Sequence, residues 1–182
     1  MEKEYQDFIF SFPLKNFNPD FLMEKVKNGV VWEERMKARK TSSYGKSYNY
    51  NGITHLERPF TKEINDLALQ IQKELGYLPN NCLINYYYNN ESYMGFHSDD
   101  IEVLEEGTGI TILSLGSLRI MKFRSIYGKN EFEIDLLPGE FIHMSSVSQL
   151  YWKHAVPPCK KSSQCERISL TFRKIVNDKF TA

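Results

Sequence analysis

His97 and Asp99 stand two residues apart in FHSDD (96–100). Side chains of an extended segment alternate with period two, so both project to one side. A histidine and a carboxylate placed together are two ligands of a metal site. His154, which precedes AVPP near the end of a run of short strands, is the best-placed third ligand by sequence. Two imidazoles and one carboxylate leave coordination positions open. That donor set suits Fe(II) with a co-substrate and dioxygen. The triplet alone also has a bland reading, a hydrogen-bonded or surface histidine, because Asp100, Glu102, Glu105 and Glu106 continue as an acidic loop would.

RISLTFR (167–173) carries a second kind of chemistry. Its alternation puts Ile168, Leu170 and Phe172 on one face and Arg167, Ser169, Thr171 and Arg173 on the other. Arginine is costly to bury unless an anion meets it. At roughly 3.3 Å per residue the two arginines lie about 20 Å apart along the backbone. They suit opposite ends of a small dicarboxylate better than one shared carboxylate. The alternative is an edge strand whose polar face meets solvent. In INYYY (84–88), Asn85 and Tyr87 share one strand face.

These residues need strands to hold them. CLINYYY (82–88), GITILSL (109–115), LRIMKFR (118–124), EFEIDL (131–136), EFIHM (140–144) and ERISLTFRKI (166–175) are short and punctuated by Gly, Pro, Asn or Ser. EFEIDL alternates strictly, with Phe132, Ile134 and Leu136 facing inward. Upstream, Asn18-Pro19-Asp20 starts a helix, with Asn18 as its cap. A second helix spans 61–75, with Ile64, Leu67, Ala68, Ile71 and Leu75 on one stripe and Gly76 at its end. Between the helices, 35–52 reads as a long basic, tyrosine-rich loop with short strand pieces. Helices followed by closely spaced strands predict an α+β, mainly β fold: an antiparallel sandwich or barrel with helices packed on it. The chain reads as one domain over 1–182, with helices and loop in 1–80 and the strand core in 81–176.

Composition narrows the setting. The chain has 182 residues, 23 basic and 23 acidic, so its net charge is zero. This argues against a sequence-blind duplex binder driven by charge. Cys82, Cys159 and Cys165 form no CxxC pair and read as reduced thiols. The N-terminus lacks an apolar signal segment. No apolar run approaches the roughly 20 residues of a membrane helix. The expectation is a soluble intracellular monomer, cytoplasmic or nuclear. His143 reads as a core or rim histidine, and His55 as part of the loop before the second helix.

Segment 82–175 resembles the AlkB family of Fe(II)/2-oxoglutarate dioxygenases. LINYYY, HSD, SLGSLRIMKF, LPGEFIHM, HAVP and RISLTFR come in that family's order. The ending is similar to AlkB domains of plant RNA viruses. The resemblance implies a double-stranded β-helix, or jelly roll. It implies His97, Asp99 and His154 as iron ligands. Arg167 would pair with the distal carboxylate of 2-oxoglutarate, Arg173 would sit near its keto-acid end, and Asn85 and Tyr87 would hydrogen-bond it. It implies oxidative demethylation of N-alkylated bases in single-stranded RNA or DNA, using Fe(II) as the metal and consuming 2-oxoglutarate and O2. ARKTSSYGKSYNYNG (38–52) looks like the family's nucleotide-recognition lid, which makes Arg39, Tyr44 and Tyr48 substrate contacts. The basic groups Lys25, Lys27, Arg35, Lys37, Arg39, Lys40 and Lys46, interleaved with Trp32 and the tyrosines, agree with phosphate and base binding. Two positions depart from the pattern. Ile101 stands where several members place an acidic base-reading residue, leaving Asp100 as the acidic candidate beside it. Ser169 stands where Asn is frequent, on the co-substrate face.

Overall fold

Asn18 accepts the Phe21 N–H at 3.0 Å and opens the first helix, with Pro19 in its first turn. The computed structural model describes residues 8–35, 37–50, 53–55, 57–160 and 165–176. Its elements run β1 (Ile9–Pro13), α1 (Pro19–Gly29), β2 (Lys40–Gly45), β3 (Tyr48–Tyr50), β4 (Ile53–His55), α2 (Lys62–Leu75), β5 (Asn81–Tyr87) and β6 (Met94–His97). Then follow β7 (Gly109–Gly116), β8 (Arg119–Ser125), β9 (Glu131–Leu136), β10 (Glu140–Ser145), α3 (Ser148–Tyr151), β11 (Trp152–Val156) and β12 (Arg167–Arg173).

The strands form a six-stranded sheet, ordered β1-β10-β7-β12-β5-β2, and a four-stranded sheet, ordered β6-β11-β8-β9. Every strand pairing within them is antiparallel. A small hairpin, β3–β4, stands apart from both. This is the mainly β, antiparallel two-sheet fold expected from the strand spacing, and the jelly roll that the resemblance implied.

α2 shows why the helices dock where they do. Thr61 caps its start by accepting the Ile64 N–H at 3.3 Å. Gly76 ends it at φ 81°, a left-handed conformation that favours glycine. Ile64, Leu67, Ala68 and Ile71 are buried along one stripe, each large aliphatic side chain contributing about 1.5–3 kcal/mol. They meet Leu22 and Val26 of α1 and the outer face of the larger sheet, where Ile84, Leu113, Ile168, Leu170 and Phe172 project. The opposite face of that sheet packs on the smaller sheet through Ile110, Ile112 and Met144 against Met121, Phe123 and Trp152. Phe123 stacks on Phe132 with ring centres 4.6 Å apart, and Leu136 is fully buried, as the alternation of EFEIDL predicts.

Four expectations need correction. The N-terminal third adds β1 and β2 to the larger sheet, so 40–45 is a strand and not loop. β2 reads poorly because Thr41, Ser42 and Ser43 are buried polar residues, paired through the backbone with β5. His55 lies on β4 rather than in a loop. β12 is central, between β5 and β7, and all seven of its residues are buried; the edge-strand alternative is excluded. Finally, Cys159 and Cys165 are joined by a disulfide, with Cα atoms 6.3 Å apart. Asn90 brings the two arms together, accepting Cys159 N–H on its carbonyl at 2.8 Å and Cys165 N–H on its side chain at 3.1 Å. With this pair joined, cysteine usage no longer argues for a reducing compartment. Cys82 is a free, buried thiol. No helix among the described residues is long and apolar enough to cross a membrane.

Candidate metal centre

β6 ends on His97, which pairs directly with His154 of β11. Asp99 follows in the loop beyond β6, where its N–H is held by Gln149 Oε1 at 2.9 Å. One ligand atom from each of His97, Asp99 and His154 lies within 4.8 Å of the others. Asp99 and His154 are buried, and His97 is half-buried. With Nδ1–H of His97 given to Gly95 O at 2.9 Å, Nε2 carries the lone pair a metal requires. His154 Nε2 faces Asp99 Oδ2 at 3.5 Å.

The protonation states suit ligation. Burial, and then the neighbouring His97, push the His154 imidazole down to about 3 against the pull of Asp99. Burial would raise the Asp99 carboxyl, but Arg173, His154 and His97 hold it at about 2. A neutral imidazole and a carboxylate anion are the forms that bind metal.

β12 and β5 line much of the rest of the cavity, with Met94, Ile112, Met121 and Val156 from β6, β7, β8 and β11. Arg173 Nη2 donates to Asp99 Oδ1, so this arginine braces the carboxylate ligand. Arg167 behaves differently. It is 1% exposed, its Nη2 donates to Ser114 Oγ at 2.8 Å, and its guanidinium lies 5.2 Å from the Tyr87 ring centre. Its Nε and Nη1 are buried with no hydrogen-bond partner. Burial lowers its pKa to about 10. An incompletely bonded buried cation facing a cavity is a receptor for an anion. Asn85 lies opposite Ser169 in register. Arg39 Nε donates to Asn85 Oδ1 at 2.8 Å, which fixes the amide with its N–H donors free to point elsewhere.

Comparisons with known proteins agree with this geometry. The chain is similar to alpha-ketoglutarate-dependent dioxygenase alkB homolog 3 of Rattus norvegicus, 27% identical over 179 residues, covering 87% of this chain and 60% of the relative. It is similar to DNA oxidative demethylase ALKBH2 of Bos taurus, 27% identical over 149 residues, covering 76% of this chain and 53% of the relative. The chain therefore spans between one half and two thirds of the length of these relatives. The solved structure of OsALKBH1 shares the fold, with a TM-score of 0.64 at 16% identity, over 92% of this chain and 98% of that one. The pattern of the 2OG-Fe(II) oxygenase superfamily matches residues 17–173. The chain belongs to that superfamily, in its AlkB branch.

An AlkB-type oxygenase requires Fe(II) and 2-oxoglutarate, and the residues present fit both. His97, Asp99 and His154 are a complete donor set for the iron. The unfilled hydrogen-bonding capacity of Arg167 fits a carboxylate of the co-substrate. Asn85, Tyr87, Arg167, Ser169 and Arg173 all line the cavity that holds the three metal-ligating side chains.

The expected substrate contacts are scattered. Arg39 is buried against Asn85. Tyr44 lies in the core between helices and sheet, on the face opposite the cavity, because it shares the side of β2 that pairs with Cys82. Asp100 is exposed and accepts the Glu102 N–H at 2.9 Å, so it caps its own turn. Tyr48 stands on β3 opposite His55; its side chain lies outside the described residues. Part of the basic stretch is engaged within the protein. Lys27, Arg35 and Lys40 pair with Glu166, Glu33 and Glu34. Sequence reasoning missed Gln149 and Ser114, which hold Asp99 and Arg167. Neither carries a local signal, since each acts across strands distant in sequence.

Proposed function

We propose that this chain oxidatively demethylates N-alkylated bases, of the 1-methyladenine and 3-methylcytosine type, in single-stranded RNA or DNA. With Fe(II) as the bound metal, 2-oxoglutarate and O2 are consumed, and formaldehyde, succinate and CO2 are released. The observation that carries this reading is the meeting, in one cavity, of His97, Asp99 and His154 with the incompletely bonded guanidinium of Arg167. The similarity to a DNA oxidative demethylase, ALKBH2 of Bos taurus, supports the demethylase reading.

In this reading His97, Asp99 and His154 hold the metal. Arg167 anchors the distal carboxylate of 2-oxoglutarate, with Ser114 fixing one arm of its fork. Arg173 braces Asp99 and lies toward the keto-acid end. The Asn85 amide, locked by Arg39, presents its N–H donors to the same anion. Leu83, Ile112, Met121 and Val156 give the cavity apolar walls that limit water. When bound, the iron and its co-substrate supply the oxidising power that removes hydrogen from an N-methyl carbon. A methylated base must leave its stack to reach the centre, and single strands make that cheaper.

A second reading has an observation in its favour. Because Arg39 and Tyr44 are buried and Lys27, Arg35 and Lys40 are each paired with a carboxylate, a 2-oxoglutarate hydroxylase acting on a protein or small molecule fits the same scaffold. One assay separates them. The protein is incubated with Fe(II), 2-oxoglutarate and RNA or DNA oligonucleotides carrying 1-methyladenine or 3-methylcytosine. Loss of the methyl mass with formaldehyde release is expected. Turnover of 2-oxoglutarate with every oligonucleotide left methylated would favour the hydroxylase.

A further inference from the structure

Arg119 opens β8 and is 3% exposed, yet no part of the proposed chemistry uses it. Its guanidinium is met by backbone oxygens from three separate segments. Nη2 donates to Ser92 O at 2.8 Å and to Pro157 O at 2.6 Å, and Nη1 approaches Cys165 O at 3.5 Å. The same group lies 5.5 Å from the centre of the Tyr87 ring. Arg167 lies 5.2 Å from that same centre. Two buried guanidinium groups thus lie close to the Tyr87 ring.

The three segments are not arbitrary. Ser92 lies in the turn after β5, the strand that ends on Tyr87. Pro157 directly follows Val156, which ends β11 and lines the cavity. Cys165 stands two residues before Arg167, and its N–H is held by the Asn90 side chain at 3.1 Å. One planar cation therefore ties down the chain within five residues of each of Tyr87, Val156 and Arg167, which all line the cavity. A buried charge spent on neutral carbonyls is an expensive way to hold loops. It also places a second positive charge behind the Tyr87 ring, where it strengthens an anion site without contacting the anion.

We propose that Arg119 is a positioning residue for the 2-oxoglutarate end of the cavity. It fixes Tyr87 and the approach to Arg167, and it adds positive potential there. This rests on the co-substrate reading above. It acts on co-substrate affinity and leaves the metal ligands alone.

The test is calorimetric binding of 2-oxoglutarate to the full chain loaded with Mn(II) in place of Fe(II), with Mn(II) affinity measured separately. Arg119→Gln is expected to weaken 2-oxoglutarate by about tenfold, in the range typical of groups that orient a binding residue, with Mn(II) affinity unchanged. Arg119→Lys, which keeps the charge but loses the flat fork, is expected to fall between the two. Unchanged 2-oxoglutarate affinity in Arg119→Gln would overturn the proposal. So would a parallel loss of both affinities, which is what a merely structural residue gives. If Arg119→Gln does not fold, the same two constants measured on Arg119→Lys decide by the same criteria. Failure of the unaltered protein to bind 2-oxoglutarate is a different result: it removes the co-substrate reading itself, and this inference with it.

Discussion

Two arginines six residues apart on one strand face have opposite fates, and the difference is what each meets across the cavity. Arg173 meets Asp99 and is neutralised within the protein. Arg167 meets a serine hydroxyl and a tyrosine ring, with no carboxylate paired to it among the described residues. This predicts an unusual split for Arg167→Gln. Losing a hydrogen bond to a charged group should raise the KM for 2-oxoglutarate by roughly 10–100-fold. Without co-substrate, the variant's urea stability should equal or exceed that of the parent, because an uncompensated buried charge has gone. A loss of apo stability beyond about 2 kcal/mol would mean that Arg167 is structural instead. The alternation of RISLTFR located both arginines. Their partners were not legible, since Asp99 and Ser114 lie 74 and 53 residues away in the chain.

At the scale of elements, the junction between β2 and the β3–β4 hairpin is closely packed. Gly45 has φ +80°, and a Cβ there would sit 2.1 Å from Asn80 O and 2.6 Å from Phe60 Cε1. Gly45→Ala combines a left-handed backbone penalty with a clash against main chain. The expected cost is roughly 2–4 kcal/mol, read as a lower urea midpoint with an unchanged slope. A shift below about 0.5 kcal/mol would show that the junction relaxes freely. Helix ends and the alternating strands were readable because caps and periodicity are local. β2 was not, because its buried Thr-Ser-Ser run is stabilised by pairing with β5, which no local pattern reports.

Zero net charge and internal pairing of the basic stretch set the behaviour of the whole molecule. Binding of a single-stranded oligonucleotide should weaken only gently with salt, with a log–log slope between about −1 and −3. A slope steeper than about −5 would mean that the 25–46 cations neutralise phosphates after all. Global stability should also carry a histidine signature. His143 is buried in β10, beside the Phe10 and Tyr77 rings and Thr111 Oγ1, and burial pushes it down to about 4. Unfolded, it titrates near 6.5. The unfolded chain therefore takes up the proton first as pH falls. His143's contribution is complete above about pH 6.5 and declines toward pH 4, by roughly 1–3 kcal/mol. His143→Gln should flatten that part of the stability–pH curve relative to the parent; identical slopes would refute it.

The sequence by itself determined which side chains could form the centre: the HxD pair, the second histidine, the two-arginine face and the Asn-x-Tyr face. Period two places these residues wherever the strands go. Only the tertiary structure decided what each of them meets. It gave Arg173 to Asp99, left Arg167 with donors to spare, turned Tyr44 into the helix-side core and closed Cys159 on Cys165. The physical reason is that alternation fixes a side chain's face, while its partner depends on the register between strands far apart in the chain, which is set cooperatively by the packing of two whole sheets.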